Sequence, residues 1–293
     1  MARKPHAPRR TPRGFGLIEL MITLVLVTLV LGGIMSVFFN TSHQADRLTN
    51  VADKRQSART AIQLIEREVR MAGSGWGRVA IYANDSNGVG DTLLAVNPGY
   101  TTANGNDSLV LIGAWQAATT LKNDMALPSS ATRVVSIGGF ASGSLFILTS
   151  GSSRAHMLMC TGTTSPDIIN HAATSPFNTS TTALTSTWPP SGGYADTVTN
   201  VYKATITSYY YDTSSFRKPA LMRHEYGSAP QVVAYDVDGF RVWYQMQDGT
   251  VTRNPANMDD VDKVAPVVYT RVNDPRRPTL RDSVWAAVQP RTF

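Results

Sequence analysis

After a short polar stretch the chain turns apolar without a break from Phe15 to Phe39, FGLIELMITLVLVTLVLGGIMSVFF. These 25 residues hold one ionisable side chain, Glu19, and no proline. At ~1.5 Å rise per residue they make a helix of about 37 Å, enough to cross a hydrocarbon core of ~30 Å. Inside lipid every backbone polar group has to be satisfied within the segment, so a helix is expected.

Beyond residue 40 the pattern becomes one-sided. Leu48, Val51, Ala58, Ile62, Ile65 and Val69 recur at three- and four-residue spacings, broken in phase only at Arg55. Opposite them run Asp46, Arg47, Asp53, Lys54, Gln56, Arg59, Gln63 and Arg67. No proline falls between Gly14 and Arg70, and Gly73-Ser74-Gly75 supplies a stop. One helix of about 85 Å from Phe15 to Met71 is therefore expected, with its second half packed by the apolar stripe onto a globular domain. Gly32-Gly33 is either a soft point in this helix or a small-residue contact.

From Arg78 onward the alternation is that of strands. Runs at Ser108–Gly113, Arg133–Ile137, Ser144–Thr149, His156–Cys160 and Tyr202–Tyr211 predict strands. So do Ala220–Tyr226, Val232–Tyr235, Phe240–Met246, Val267–Val272 and a late run at Ser283–Val288. Leu145-Phe146-Ile147-Leu148 is continuously apolar, which suits a strand buried on both faces. Asn84 to Gly88, Asn104-Gly105, Asp238-Gly239 and Asp248-Gly249 read as turns. Thr161–Asn200, rich in Thr, Ser, Pro and Gly, reads as a long surface excursion.

Charge adds a topology. The formal net charge of the 293 residues is +6. The first 14 residues hold Arg3, Lys4, Arg9, Arg10 and Arg13 and no acid, so without them 22 basic residues face 21 acidic ones. The basicity is a flank that keeps the N-terminus cytoplasmic, and it gives no case for nucleic acid as a partner. A secretory signal peptide has an apolar region of only ~7–15 residues and a small-residue cleavage site, neither of which fits. Cys160 is the only cysteine, which excludes an internal disulfide. It sits in the apolar run Ala155–Cys160 and reads as a buried, inert thiol.

Candidate chemistry is sparse. His6, His43, His156, His171 and His224 fall in no metal-ligand spacing, and there is no nucleophile elbow. Gly73-Ser74-Gly75-Trp76-Gly77 lacks the lysine and preceding strand of a phosphate loop. Asp259, Asp260 and Asp262 could offer oxygens to calcium, but their spacing fits a solvated turn better. Arg271, Arg276, Arg277 and Arg281, interrupted by Pro275 and Pro278, read as an exposed connection. No catalytic residue, cofactor or metal is expected, and the chain does not read as an enzyme. Glu19 stands out, because a carboxylate near the centre of a membrane helix costs roughly 2.5–3.5 kcal/mol and is a functional candidate by default.

Gly14-Phe15-Gly16-Leu17-Ile18-Glu19-Leu20 behind a basic leader resembles the class III signal of type IV prepilins and pseudopilins. The resemblance implies cleavage between Gly14 and Phe15 by a prepilin peptidase, N-methylation of Phe15, and a role for Glu19 in meeting a neighbouring subunit's terminal amine. Gly16 stands where the family commonly has Thr or Ser, and many relatives carry a disulfide that this chain cannot form. The run Glu66 to Gly73, with arginine before x-Ala-Gly, resembles PilW-type minor pilins and the GspJ-type pseudopilins of type II secretion. Gly105-Asn106-Asp107-Ser108-Leu109 and the stretch Val232 to Tyr244, read as paired strands, are similar to the same group.

The implied fold is α+β, a long N-terminal helix on an antiparallel β-rich pilin-like domain. Its divisions are a cleaved leader 1–14, a transmembrane and assembly helix 15–39, an amphipathic continuation 40–73 and a β-rich domain 74–293. The implied role is that of a minor pilin in the priming complex at a pilus tip, held in the inner membrane before assembly. Its partners would be other minor pilins, the major pilin, a tip adhesin, the assembly platform and membrane lipid. A type II secretion pseudopilin or a DNA-uptake pseudopilin is the alternative.

Overall fold

The computed structural model describes residues 16–76, 81–84, 90–127, 129, 131–150, 155–164, 166–172, 177–178, 193–214, 218–271 and 281–290. The fold is α+β. Helix α1 runs from Leu17 to Met71, and contacts divide the chain into two compact units, Met1–Ala52 and Asp53–Phe293.

In the first unit the helix is solvent-facing all round. Every residue from Gly16 to Asn50 is exposed, Leu17, Ile18 and Leu29 by more than 70%. Thr23, Thr28 and Thr41 turn their hydroxyls back to carbonyls three or four residues earlier, so their polarity is absorbed by the helix itself.

In the second unit Ala58, Ala61, Ile62, Ile65 and Val69 of α1 are buried. They repeat at the helical period and carry the docking face. The expected stripe began ten residues too early: Leu48 is 73% exposed and Val51 only half-buried. The helix ends where the glycines stand. Gly73 and Gly75 adopt φ of 74° and 104°, and the Gly73 N–H donates to the Ile112 carbonyl at 3.0 Å, tying the helix end to the sheet.

The strands are β1 Ile81–Asn84, β2 Gly90–Leu93, β3 Val96–Thr101, β4 Asp107–Thr120, β5 Ala131–Arg133, β6 Leu145–Thr149, β7 Ala155–Met159 and β8 Gly162–Thr164. They continue with β9 Ile168–Asn170, β10 Asn200–Asp212, β11 Ala220–Glu225, β12 Gln231–Tyr235, β13 Val237–Met246, β14 Val251–Thr252, β15 Val261–Arg271 and β16 Arg281–Trp285. Among the described residues they form three sheets. The largest follows β12-β11-β10-β6-β7-β1-β2, with β4 joined to β10 and β3 to β4; its β1–β7 pair is parallel and the rest antiparallel. The second is β14-β13-β15-β16 and the third β5-β9-β8.

Strand β6 is buried at all five positions, as its apolar run requires. Its alternating side chains enter two cores. Leu145 and Ile147 join α1 and the first two sheets, whereas Phe146 and Leu148 join a second cluster with Leu121, Val134, Cys160, Ile169 and Tyr194.

Four further expectations need correction. The turn at Asp238-Gly239 lies inside β13; the chain turns instead at Asp236, the one described non-glycine residue with positive φ, 57°. Strands β12 and β13 are not paired with each other but belong to different sheets. The described part of Thr161–Asn200 is not a plain surface excursion. It supplies β8 and β9 and buries Ile169, His171, Asn178 and Tyr194, because short polar side chains there find partners inside the protein. The Arg133–Ile137 strand shrinks to Ala131–Arg133 and a single bridge from Val134 to Leu121. The turn beyond Asn84 and the arginines between Arg271 and Arg281 lie outside the described residues.

Candidate functional site

Gly14 and Phe15 lie outside the described residues. Glu19 sits in the first turn of α1, where the positive end of the helix dipole favours a carboxylate. Its N–H donates to the Gly16 carbonyl at 3.0 Å, and its carbonyl accepts the Thr23 hydroxyl at 2.8 Å. The side chain is exposed between Ile18 and Leu20, and its carboxylate has no partner among the described residues. In lipid a carboxylate is costly unless a counter-charge meets it. Further along, Gly33 opens a shallow groove on the helix, walled by Val30, Ile34, Val37 and Phe38.

The charged features of the second unit are gathered elsewhere. Glu68 on α1 accepts the Tyr209 hydroxyl at 2.7 Å and the Arg223 Nε at 2.9 Å; Arg223 also pairs with Glu225 at 3.2 Å. Tyr209 and Arg223 stand opposite each other in the β10–β11 register, which is why one carboxylate reaches both. Burial first, and then the Glu68 charge, pushes the Tyr209 phenol well above its usual range. An open cleft of about 510 Å³ lies over this group, between α1 and strands β10 and β11. Arg67 and Lys203 line it, and neither side chain has a hydrogen-bond or ion-pair partner among the described residues. Arg67 also borders a second cleft with Gln63, Gln289 and the Glu66–Arg70 pair.

The stretches around Asn106 and Phe240 meet each other. Asn106 Oδ1 accepts the Phe240 N–H and Asp107 Oδ2 the Val242 N–H, each at 3.0 Å. Arg253 donates to Asp107 Oδ2 at 3.0 Å and to the Gly105 carbonyl at 2.8 Å. Asn106 and Asp107 thus join the first sheet to the second. A Cβ on Gly239 would stand 2.8 Å from Asn106 Oδ1, so the glycine is there for close approach and not for a turn.

The remaining candidates lie elsewhere in the second unit. His156 is fully buried, hydrogen-bonded through Nδ1 to the Tyr194 hydroxyl at 2.6 Å and stacked on Tyr82. His171 Nε2 meets Thr132 Oγ1 at 2.9 Å, and burial lowers its pKa to about 4. Cys160 is buried and burial pushes its thiol up. Asp259 and Asp260 lie in a 3-10 turn capped by Asn257, while Asp262 accepts from Gln289 at 3.0 Å. Among the described residues no three His, Cys, Asp or Glu side chains are grouped to hold a metal ion.

Sequence reasoning singled out Glu19 and passed over Glu68, whose partners are 141 and 155 residues away. The one local hint was a carboxylate flanking Ile65 and Val69, at the border of the docking stripe.

Residues 9–35 match the family described as Prokaryotic N-terminal methylation motif. The match spans Gly14, Phe15 and Glu19 and supports a type IV pilin-like protein; together with the apolar helix it fits membrane anchoring. Neither the curated proteins nor the solved structures yielded a match to the chain.

Proposed function

We propose that this chain is a minor pilin of a type IV pilus, of the PilW kind. It is processed between Gly14 and Phe15, methylated at Phe15, anchored in the inner membrane by the apolar part of α1, and then built into the priming complex at a pilus tip. Other minor pilins, the major pilin and a tip adhesin are its partners there. The observation that carries the reading is the methylation motif over residues 9–35, continued by a helix exposed all round and, in the second unit, a helix end docked on antiparallel sheets.

The role of Glu19 follows from its isolation. An unpaired carboxylate is tolerated poorly in lipid, so it gains most when a neighbouring subunit's terminal amine supplies the opposite charge. Replacing it removes that partnership without harming insertion.

The test is N-terminal sequencing combined with shearing of surface filaments. The wild-type mature chain should begin at Phe15 and appear in the sheared fraction. Glu19→Ala should insert normally and be depleted there. A mature chain starting elsewhere, or undiminished Glu19→Ala in sheared filaments, would remove the basis of the reading.

A further inference from the structure

The cleft over Glu68 is electrostatically unfinished. On its helix side Leu64, Arg67, Glu68 and Met71 fall three and four residues apart and so share one ridge. On its strand side Lys203 belongs to β10, while Arg223 and Glu225 stand two apart on one face of β11. Both carboxylates are already engaged by Arg223, and Glu68 by Tyr209 as well. Three cations therefore face two occupied carboxylates, and the two cations unpaired among the described residues, Arg67 and Lys203, come from opposite walls.

We infer that this cleft receives a carboxylate side chain from an acidic segment of a neighbouring protein subunit. The identity of that neighbour as a fellow filament subunit rests on the pilin reading. The chemistry of the cleft does not. An arginine fork and a lysine ammonium on two elements of one cleft match an incoming carboxylate, and Leu64 and Met71 offer apolar surface to the stem of a peptide side chain. The cleft is open to solvent, so a chain segment can lie along it, and the contact is weakened by salt as exposed pairs are.

The test uses the full-length chain in detergent. The probe is an acetylated, amidated peptide of alternating glutamate and serine, with its glutamine counterpart as control. The glutamate peptide should bind, the glutamine peptide should not, and added salt should weaken binding. The double variant Arg67→Gln/Lys203→Gln should lose about tenfold or more in affinity, the loss of two charge-assisted contacts. Arg59→Gln, exposed two turns earlier on α1, should bind as the parent does. Acetate at the same carboxylate concentration should fail to displace the peptide.

Equal binding by the double variant, absence of binding, or displacement by acetate would overturn the proposal; the last would mark a site for small carboxylates. These failures are separate from that of the pilin reading, which falls on an N-terminus other than Phe15.

Discussion

On one side of β6, Leu145 and Ile147 enter a core of Ile62, Ile65, Val69, Leu109, Leu111, Phe240 and their neighbours, with Tyr209 reaching Glu68 at its border. On the other, Phe146 and Leu148 enter a smaller core in which His156, His171 and Thr132 are buried beside Val134, Ile169 and Tyr194. The first is held by the area it removes from water. The second depends as well on each buried polar group finding its partner, since an unpaired one costs ~1–3 kcal/mol. Backbone alternation along a single strand therefore separates a large core docked on α1 from a smaller one with histidines in its interior.

The sharpest way to break the comparison is at Ile65, which is fully buried in the first core. Ile65→Ala should cost ~2–5 kcal/mol in thermal or denaturant melts of the full chain. Ile65→Asp should cost more, because the carboxylate is buried without a partner. If Ile65→Asp melts like the parent, α1 does not dock through this stripe.

The second core should be sensitive to acid through His171. His171 has a pKa of about 4 in the folded protein against an ordinary 6.5. Below pH 6.5 the unfolded chain takes up a proton that the folded protein refuses, so stability falls as pH falls and levels off near pH 4. The loss amounts to at most about 3 kcal/mol. Denaturant melts between pH 7 and 4 read it directly, and His171→Gln should flatten the slope. An unchanged slope in His171→Gln would place the acid sensitivity elsewhere.

What could be read in advance follows the same division. The helix and the strands β6, β10, β11 and β13 rest on local pattern, period or alternation, and the expectation for Glu19 rests on one charge in an apolar run. The second core escaped because its segments are short and polar. Thr132, His171 and Asn178 look like loop residues until the fold supplies partners, as Asn178 does by bonding both backbone groups of Met159. Strand β3 escaped because Pro98 and Gly99 argue against a strand. Gly99 is in fact required there: a Cβ would stand 1.9 Å from Ser108 Oγ on β4. The Glu68 and Asp107 networks could not be read at all, since each joins residues more than 130 apart in sequence.

The smallest effect marks where the first core stops. Leu48 belongs by spacing to the same stripe as Ile65, yet it is 73% exposed and the buried positions begin at Ala58. Its side chain already meets solvent in the folded protein, so Leu48→Ala forfeits little transfer energy and opens no cavity. The alanine also has the higher helix propensity by a small margin. Leu48→Ala should therefore melt within about 0.5 kcal/mol of the parent, the usual range for surface positions. A loss near that of Ile65→Ala would mean that residue 48 packs against protein after all, and that the docked part of α1 is longer than its burial shows.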